Sequence, residues 1–150
     1  MKRNFMDCPS NSAADLRAAI VDKGRSYLGT PFRHQGRAPG RGLDCIGVVA
    51  CIGRELGLFD YDATGYARQP TSWTSLRRHV DAAGFVRVET AKPGDVYLMA
   101  IIDRPQHVAL VTDRGMLHAW MHTRSVVEHG LDALWASRVV SIYRFPGVCD

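Results

Sequence analysis

A chain of 150 residues, 46% hydrophobic and 23% charged, has room for one well-buried core, so residues 1–150 are read as a single domain. Its formal net charge of +4 comes from arginines scattered along the chain, a surface that can attract an anionic polymer but carries no basic run of a nucleic-acid binder. No stretch is apolar enough to span a membrane, and Met1 to Pro9 has basic residues without the apolar run of a secretory signal, so folding in the cytoplasm is expected.

The first predicted helix runs from about Ser12 to Tyr27. Asn11 or Ser12 caps it, Asp15 completes a capping box, and Leu16, Ala19, Ile20 and Tyr27 form its apolar stripe. Gly29 and Pro31 end it, and a loop rich in glycine and arginine follows from Pro31 to Leu43. A second helix opens at Asp44 or Cys45, with Ile46, Val49, Ala50, Gly53 and Leu56 facing inward and Gly57 closing it. Gly47 and Gly53 are poor helix formers, which predicts close packing of this helix against a sheet.

Leu58 to Thr71 reads as an irregular segment carrying Tyr61 and Tyr66, a loop that can cover a cleft. A short helix is predicted from Ser72 to Ala83, with Leu76 and Val80 on one face. The pattern then changes to strands: Phe85 to Val88, Val96 to Ile102 after the turn at Lys92 to Asp95, a hairpin of His107–Thr112 with Met116–His122, and Val139 to Phe145. A connection containing Trp135 precedes the last strand. Helices first and antiparallel strands after them make an α+β architecture.

Cys45 is the most telling residue. It stands where a glycine-rich loop meets a helix, Gly40-Arg41-Gly42-Leu43-Asp44-Cys45-Ile46-Gly47, and unpaired N–H groups at a helix start favour the thiolate, which is the nucleophile. Attack on a carbonyl also needs a base that returns its proton and a donor for the oxyanion. His107 opens a strand and titrates in the right range for a base, and His118 is the candidate for the group that orients it. If Arg114-Gly115 forms the turn, His118 falls opposite Val111 and shares a face with Ala109 and His107, one or two repeats out of register. A lone strand histidine is usually packed or exposed, and His34, His79, His122 and His129 are read that way. The four cysteines, Cys8, Cys45, Cys51 and Cys149, form no Cys-x-x-Cys pair and are read as reduced thiols, although Cys8 and Cys149 lie near the two termini. A metal held by Cys45, His107, His118 and His34 is chemically conceivable but lacks ligand spacing. No metal or other cofactor is expected.

Tyr27-Leu28-Gly29-Thr30-Pro31-Phe32-Arg33-His34-Gln35-Gly36 followed by Leu43-Asp44-Cys45-Ile46-Gly47-Val48-Val49 resembles the NlpC-type cell-wall peptidases. Lys92-Pro93-Gly94-Asp95-Val96, His107-Val108-Ala109-Leu110-Val111 and Met116-Leu117-His118-Ala119 resemble that family's histidine-bearing strands, in the same order. The resemblance implies a papain-like fold, with N-terminal helices packed on a five- to six-stranded antiparallel sheet. It implies a cysteine peptidase that cuts peptidoglycan stem peptides at the γ-D-glutamyl–diamino acid bond through a thioester. Cys45 is then the nucleophile, His107 the base and His118 the orienting residue. Asp44 would bind the free amine of a terminal L-alanine, with Phe32, Ile46 and His34 as further substrate-binding residues. Ile46 stands where serine is frequent, and Phe32 where tyrosine is common; a lost oxyanion donor can cost on the order of a hundredfold in rate.

Arg33-His34-Gln35 and the ending Phe145-Pro146 are most similar to a branch found in phages and prophages, which implies a setting in a phage tail and tail proteins as partners. Two other functions stay open at this point: an amidase or acyltransferase using the same triad, and a non-catalytic tail-assembly or wall-binding module.

Overall fold

A computed structural model describes residues 10–66, 73–101 and 104–150. The first helix, α1, spans Ser10–Arg25 and starts ahead of the predicted cap at Asn11 or Ser12. Two short strands, β1 (Arg37–Ala38) and β2 (Gly42–Leu43), pair antiparallel inside the glycine-arginine loop. Helix α2 is Cys45–Glu55 and helix α3 is Trp73–Ala82. The strands follow as β3 (Val86–Val88), β4 (Asp95–Ile101), β5 (Arg104–Thr112), β6 (Gly115–Trp120) and β7 (Ser125–His129). A short helix, α4 (Ala133–Ser137), leads into β8 (Val139–Arg144).

Six of these strands make one sheet in the order β3-β8-β4-β5-β6-β7, every neighbouring pair antiparallel. The α+β architecture expected from the chain is the one observed. Period-two alternation divides the sheet's apolar residues between two cores. Val96, Leu98, Val108, Leu110, Leu117 and Ala119 cluster with Ile20, Val48 and Ile52 of α1 and α2. Tyr97, Met99, Ala109, Val111 and Met116 form the second cluster, against which Trp135, Leu131 and Val139 pack.

Several elements differ from expectation. Strand β7 and helix α4 fall where only a connection was predicted, because Ser125-Val126-Val127-Glu128-His129 is short and lacks clean alternation. Gly47 and Gly53 do mark close approaches, but not to a sheet. A Cβ on Gly47 would strike the Gly36 carbonyl, and one on Gly53 would strike the Phe59 ring. Cys149 is held in a disulfide, against the expectation of reduced thiols, while Cys8 lies outside the described residues. So do Asn11 and Ser12 as side chains, the stretch 67–72, and Ile102. Among the described residues no helix is long and apolar enough to cross a membrane.

Candidate active site

Cys45 is the first residue of α2 and is buried. The residue before it, Asp44, caps the helix, its carboxylate accepting from the Gly47 N–H at 2.8 Å. The loop that leads there is stitched down on both sides. The Phe32 N–H donates to the Arg124 carbonyl at 2.8 Å, the Arg33 N–H to Leu43 at 3.0 Å, and the Gly40 N–H to the Thr30 hydroxyl at 2.9 Å. Gln35 takes φ of 57°, a left-handed conformation that side-chain-bearing residues rarely adopt, and so aims its N–H at Asp44 at 2.8 Å. Such conformations persist where surrounding structure over-determines them.

Asp44 gathers four donors: the N–H groups of Gly47 and Gln35, the Arg37 guanidinium at 3.0 Å, and the Tyr66 hydroxyl in a short hydrogen bond. Arg37 also binds Asp62 at 2.9 Å, the Ala63 carbonyl at 2.9 Å and the Tyr66 oxygen at 2.9 Å. This clasp ties Asp62, Ala63 and Tyr66 to the start of α2. Burial and the Asp44 carboxylate both push the Tyr66 hydroxyl far up, so it stays protonated and donates. His34 meets the Tyr66 ring edge-on at 5.5 Å. Phe32, His34 and Ile46 are half-buried. Arg37 was not singled out from sequence, since one arginine in a basic loop reads as solvated.

His107 lies on β5 and His118 on β6, both fully buried. His107 Nε2 and His118 Nδ1 are 2.6 Å apart, so one donates to the other. The turn between the strands is Asp113-Arg114, with Thr112 paired to Gly115. That is one residue earlier than the turn considered from sequence. Extending the observed register puts His118 across from Ala109, diagonal to His107, within reach for two rings. The paired ladder of β5 and β6 runs from Thr112 only as far as Leu110↔Leu117, short of both histidines. On the other side of β5 the register with β4 shifts just beyond Met99↔His107, a bulge of the kind found beside active sites. Helix α2 packs on β5 and β6, and Ile46 and Val108, the chain neighbours of Cys45 and His107, line one cavity.

Sequence reasoning passed over His129. From the end of β7 its Nε2 sits 2.9 Å from His118 Nε2. Trp120 stacks on His118 at 5.5 Å, and Trp135 meets His118 edge-on at 5.1 Å. Burial first, and the neighbouring His129 second, push the His118 pKa down to about 3, so this ring is neutral at ordinary pH. Cys51, six residues along α2, has its thiol pushed up by burial. Among the described residues no group of three or more His, Cys, Asp or Glu side chains is arranged to hold a metal ion.

Helices on a six-stranded antiparallel sheet, a cysteine opening a helix and paired strand histidines define a papain-like α+β domain. The chain belongs to the NlpC/P60 family, whose model matches residues 29–144. The NlpC/p60 domain of the peptidoglycan hydrolase SagA is 25% identical, with 85% of this chain and 97% of that one covered at a TM-score of 0.58. The peptidoglycan hydrolase RipB of Mycobacterium tuberculosis is 18% identical, over 100% of this chain and 74% of that one, at 0.64. NlpC1 of Trichomonas vaginalis is 17% identical at 0.65, the match spanning 96% of this chain and 48% of that longer one. Among curated proteins nothing matches.

Proposed function

We propose that this chain is a cysteine endopeptidase of bacterial cell-wall stem peptides, residues 1–150 acting as one peptidase domain. Family membership and the likeness to the SagA domain support a peptidoglycan hydrolase. The observation that carries the reading is the 2.6 Å contact of two buried imidazoles on the sheet against which the Cys45 helix packs.

Cys45 is the nucleophile, His107 the base and His118 its orienting partner. His118 engages His107 Nε2, so Nδ1 is the nitrogen that takes the thiol proton. The thiolate attacks the γ-carbonyl of D-glutamate in the bond to the diamino acid, and N–H groups at the α2 start stabilise the oxyanion. His107 then gives its proton to the departing amine, leaving a thioester. Water, deprotonated by His107, attacks the thioester, and the thiol regains its proton as the γ-carboxylate leaves.

Phe32, His34 and Ile46 contact the stem peptide. Asp44 binds the free L-alanine amine, which must displace one of the four donors now on its carboxylate. The likeness of Arg33-His34-Gln35 and Phe145-Pro146 to phage-encoded relatives supports a place in a phage tail, with tail proteins as partners.

The test is mass spectrometry of defined stem peptides incubated with wild type and with Cys45→Ala, one set with a free L-alanine amine and one acylated there. Cleavage after γ-D-glutamate by wild type alone is expected, with the free amine preferred. Equal cleavage of both sets makes Asp44 a positioning carboxylate only. A reactive Cys45 without cleavage of either set points to another acyl substrate, as for an amidase or acyltransferase. An unreactive Cys45 without cleavage leaves a wall-binding or tail-assembly module.

A further inference from the structure

His107, His118 and His129 form one hydrogen-bonded line, and its outer end dictates where every hydrogen in it sits. His129 Nδ1 lies 2.9 Å from the Gly130 carbonyl oxygen. A carbonyl only accepts, so His129 Nδ1 carries a hydrogen. In the neutral form of His129 the ring carries only that one, which leaves Nε2 bare and facing His118 Nε2 at 2.9 Å. His118 Nε2 must then donate, so His118 Nδ1 is bare and accepts from His107 Nε2 at 2.6 Å. By the same count His107 Nδ1 keeps a lone pair, the form a general base needs.

We infer that His129 is a positioning residue for the base: through His118 it holds His107 in the tautomer whose Nδ1 can take the Cys45 proton. This rests on reading Cys45 and His107 as nucleophile and base. The surroundings are built to keep the line in this state. Gly115 has φ of 135°, and a Cβ there would strike the His129 carbonyl and lie 2.7 Å from Gly130 Cα, so a glycine at the start of β6 lets the end of β7 and Gly130 close in. The Trp135 ring lies 5.0 Å from His129 and 5.1 Å from His118 and packs on both. His118 is held neutral, as a ring that donates at one nitrogen and accepts at the other must be. Charged groups on the surrounding elements include Glu128 on β7 and Asp113 in the β5–β6 turn, both bound by Arg25 of α1. Arg114 shares that turn, and Arg138, the C-cap of α4, lies over the Trp135 ring at 4.5 Å.

The logic runs backwards when position 129 can only donate. His118 Nε2 must then accept, His118 Nδ1 donates to His107 Nε2, and the hydrogen of His107 moves to Nδ1, where it blocks uptake of the thiol proton. His129→Glu, an acceptor, and His129→Lys, a donor, therefore part company at one half-buried position. The experiment is ¹⁵N NMR of the histidine-labelled full chain, alongside iodoacetamide alkylation followed at Cys45 and Cys51 by mass spectrometry across pH.

In wild type and His129→Glu, His107 and His118 are expected to carry their hydrogens on Nε2, with Cys45 alkylation in the two proteins alike to within about threefold. In His129→Lys both hydrogens move to Nδ1, and Cys45 alkylation at neutral pH slows at least about tenfold, as a wrong tautomer of the base requires. A folded His129→Lys variant with unchanged tautomers and unchanged alkylation overturns the inference, as does a wild-type spectrum with the His107 hydrogen on Nδ1. Wild-type Cys45 alkylating no faster than Cys51 instead overturns the nucleophile reading, while the ¹⁵N spectra still decide what position 129 imposes.

Discussion

Two buried polar clusters on the sheet handle protons in opposite ways. In the line from His107 to His129 each ring is hydrogen-bonded to the next, and the middle one is held neutral. At the start of β4, Asp95 is fully buried between the guanidinium groups of Arg17 at 3.0 Å and Arg144 at 3.2 Å. Asp150 closes that cluster on Arg17 at 2.8 Å and Lys92 at 2.6 Å. Guanidinium groups do not release protons, so every hydrogen around Asp95 is fixed. An imidazole nitrogen can donate or accept, and in this line the Gly130 carbonyl selects which. One cluster holds α1 and the C-terminal residues on the sheet, and the other is suited to moving a proton. Burial alone therefore does not mark a functional site; the kind of group buried does.

The sharpest break in this comparison is Cys45→Ala, which should abolish stem-peptide cleavage while leaving the denaturant midpoint nearly unchanged. Asp95→Ala should do the reverse. It removes the fully buried carboxylate that Arg17 and Arg144 share and should cost about 3 kcal/mol in chemical denaturation, with Cys45 alkylation per folded molecule preserved. His118→Ala should lower cleavage by about a hundredfold at constant pH, because His107 loses the partner that orients it.

Acid titration separates the clusters by pH. His118 falls from an ordinary 6.5 to about 3 in the folded chain, so the unfolded chain binds a proton that the folded one refuses. Stability should decline as pH drops from 6.5 towards 3. Asp150 falls from 3.8 to about 2, chiefly through its hydrogen bond with Arg17, so its contribution is complete above 3.8 and lost as pH falls through 2. Thermal melts should show His118→Gln flattening the upper range and Asp150→Asn the lower. The smallest effect is expected of Tyr66→Phe. It removes one of four donors from Asp44 and should cost about 1 kcal/mol, read as a small fall in the denaturant midpoint.

Much of this was legible in the chain. Leu76 and Val80 sit buried on α3, and β4, β5, β6 and β8 lie within a few residues of their expected bounds. Such features come from periodicity and turn chemistry, which act over a few residues. The His107–His118 contact was allowed but not settled, because moving the turn by one residue changes which side chains oppose each other. From sequence His129 reads as a packed or exposed histidine, because the pattern does not mark β7 and a histidine in a connection has no implied neighbour.

The sequence by itself determined that a cysteine opens a helix after a glycine-rich loop, since the cap at Asp44 and the pattern after it are local. It also determined the order of helices and strands, and with it the α+β class. Only the tertiary structure decided that Asp44 is shared by Arg37 and Tyr66, that Arg17 and Arg144 meet at Asp95, and that three histidines join end to end. Those contacts depend on strand register, a bulge and loop closure, which arise when segments far apart in the chain pack together.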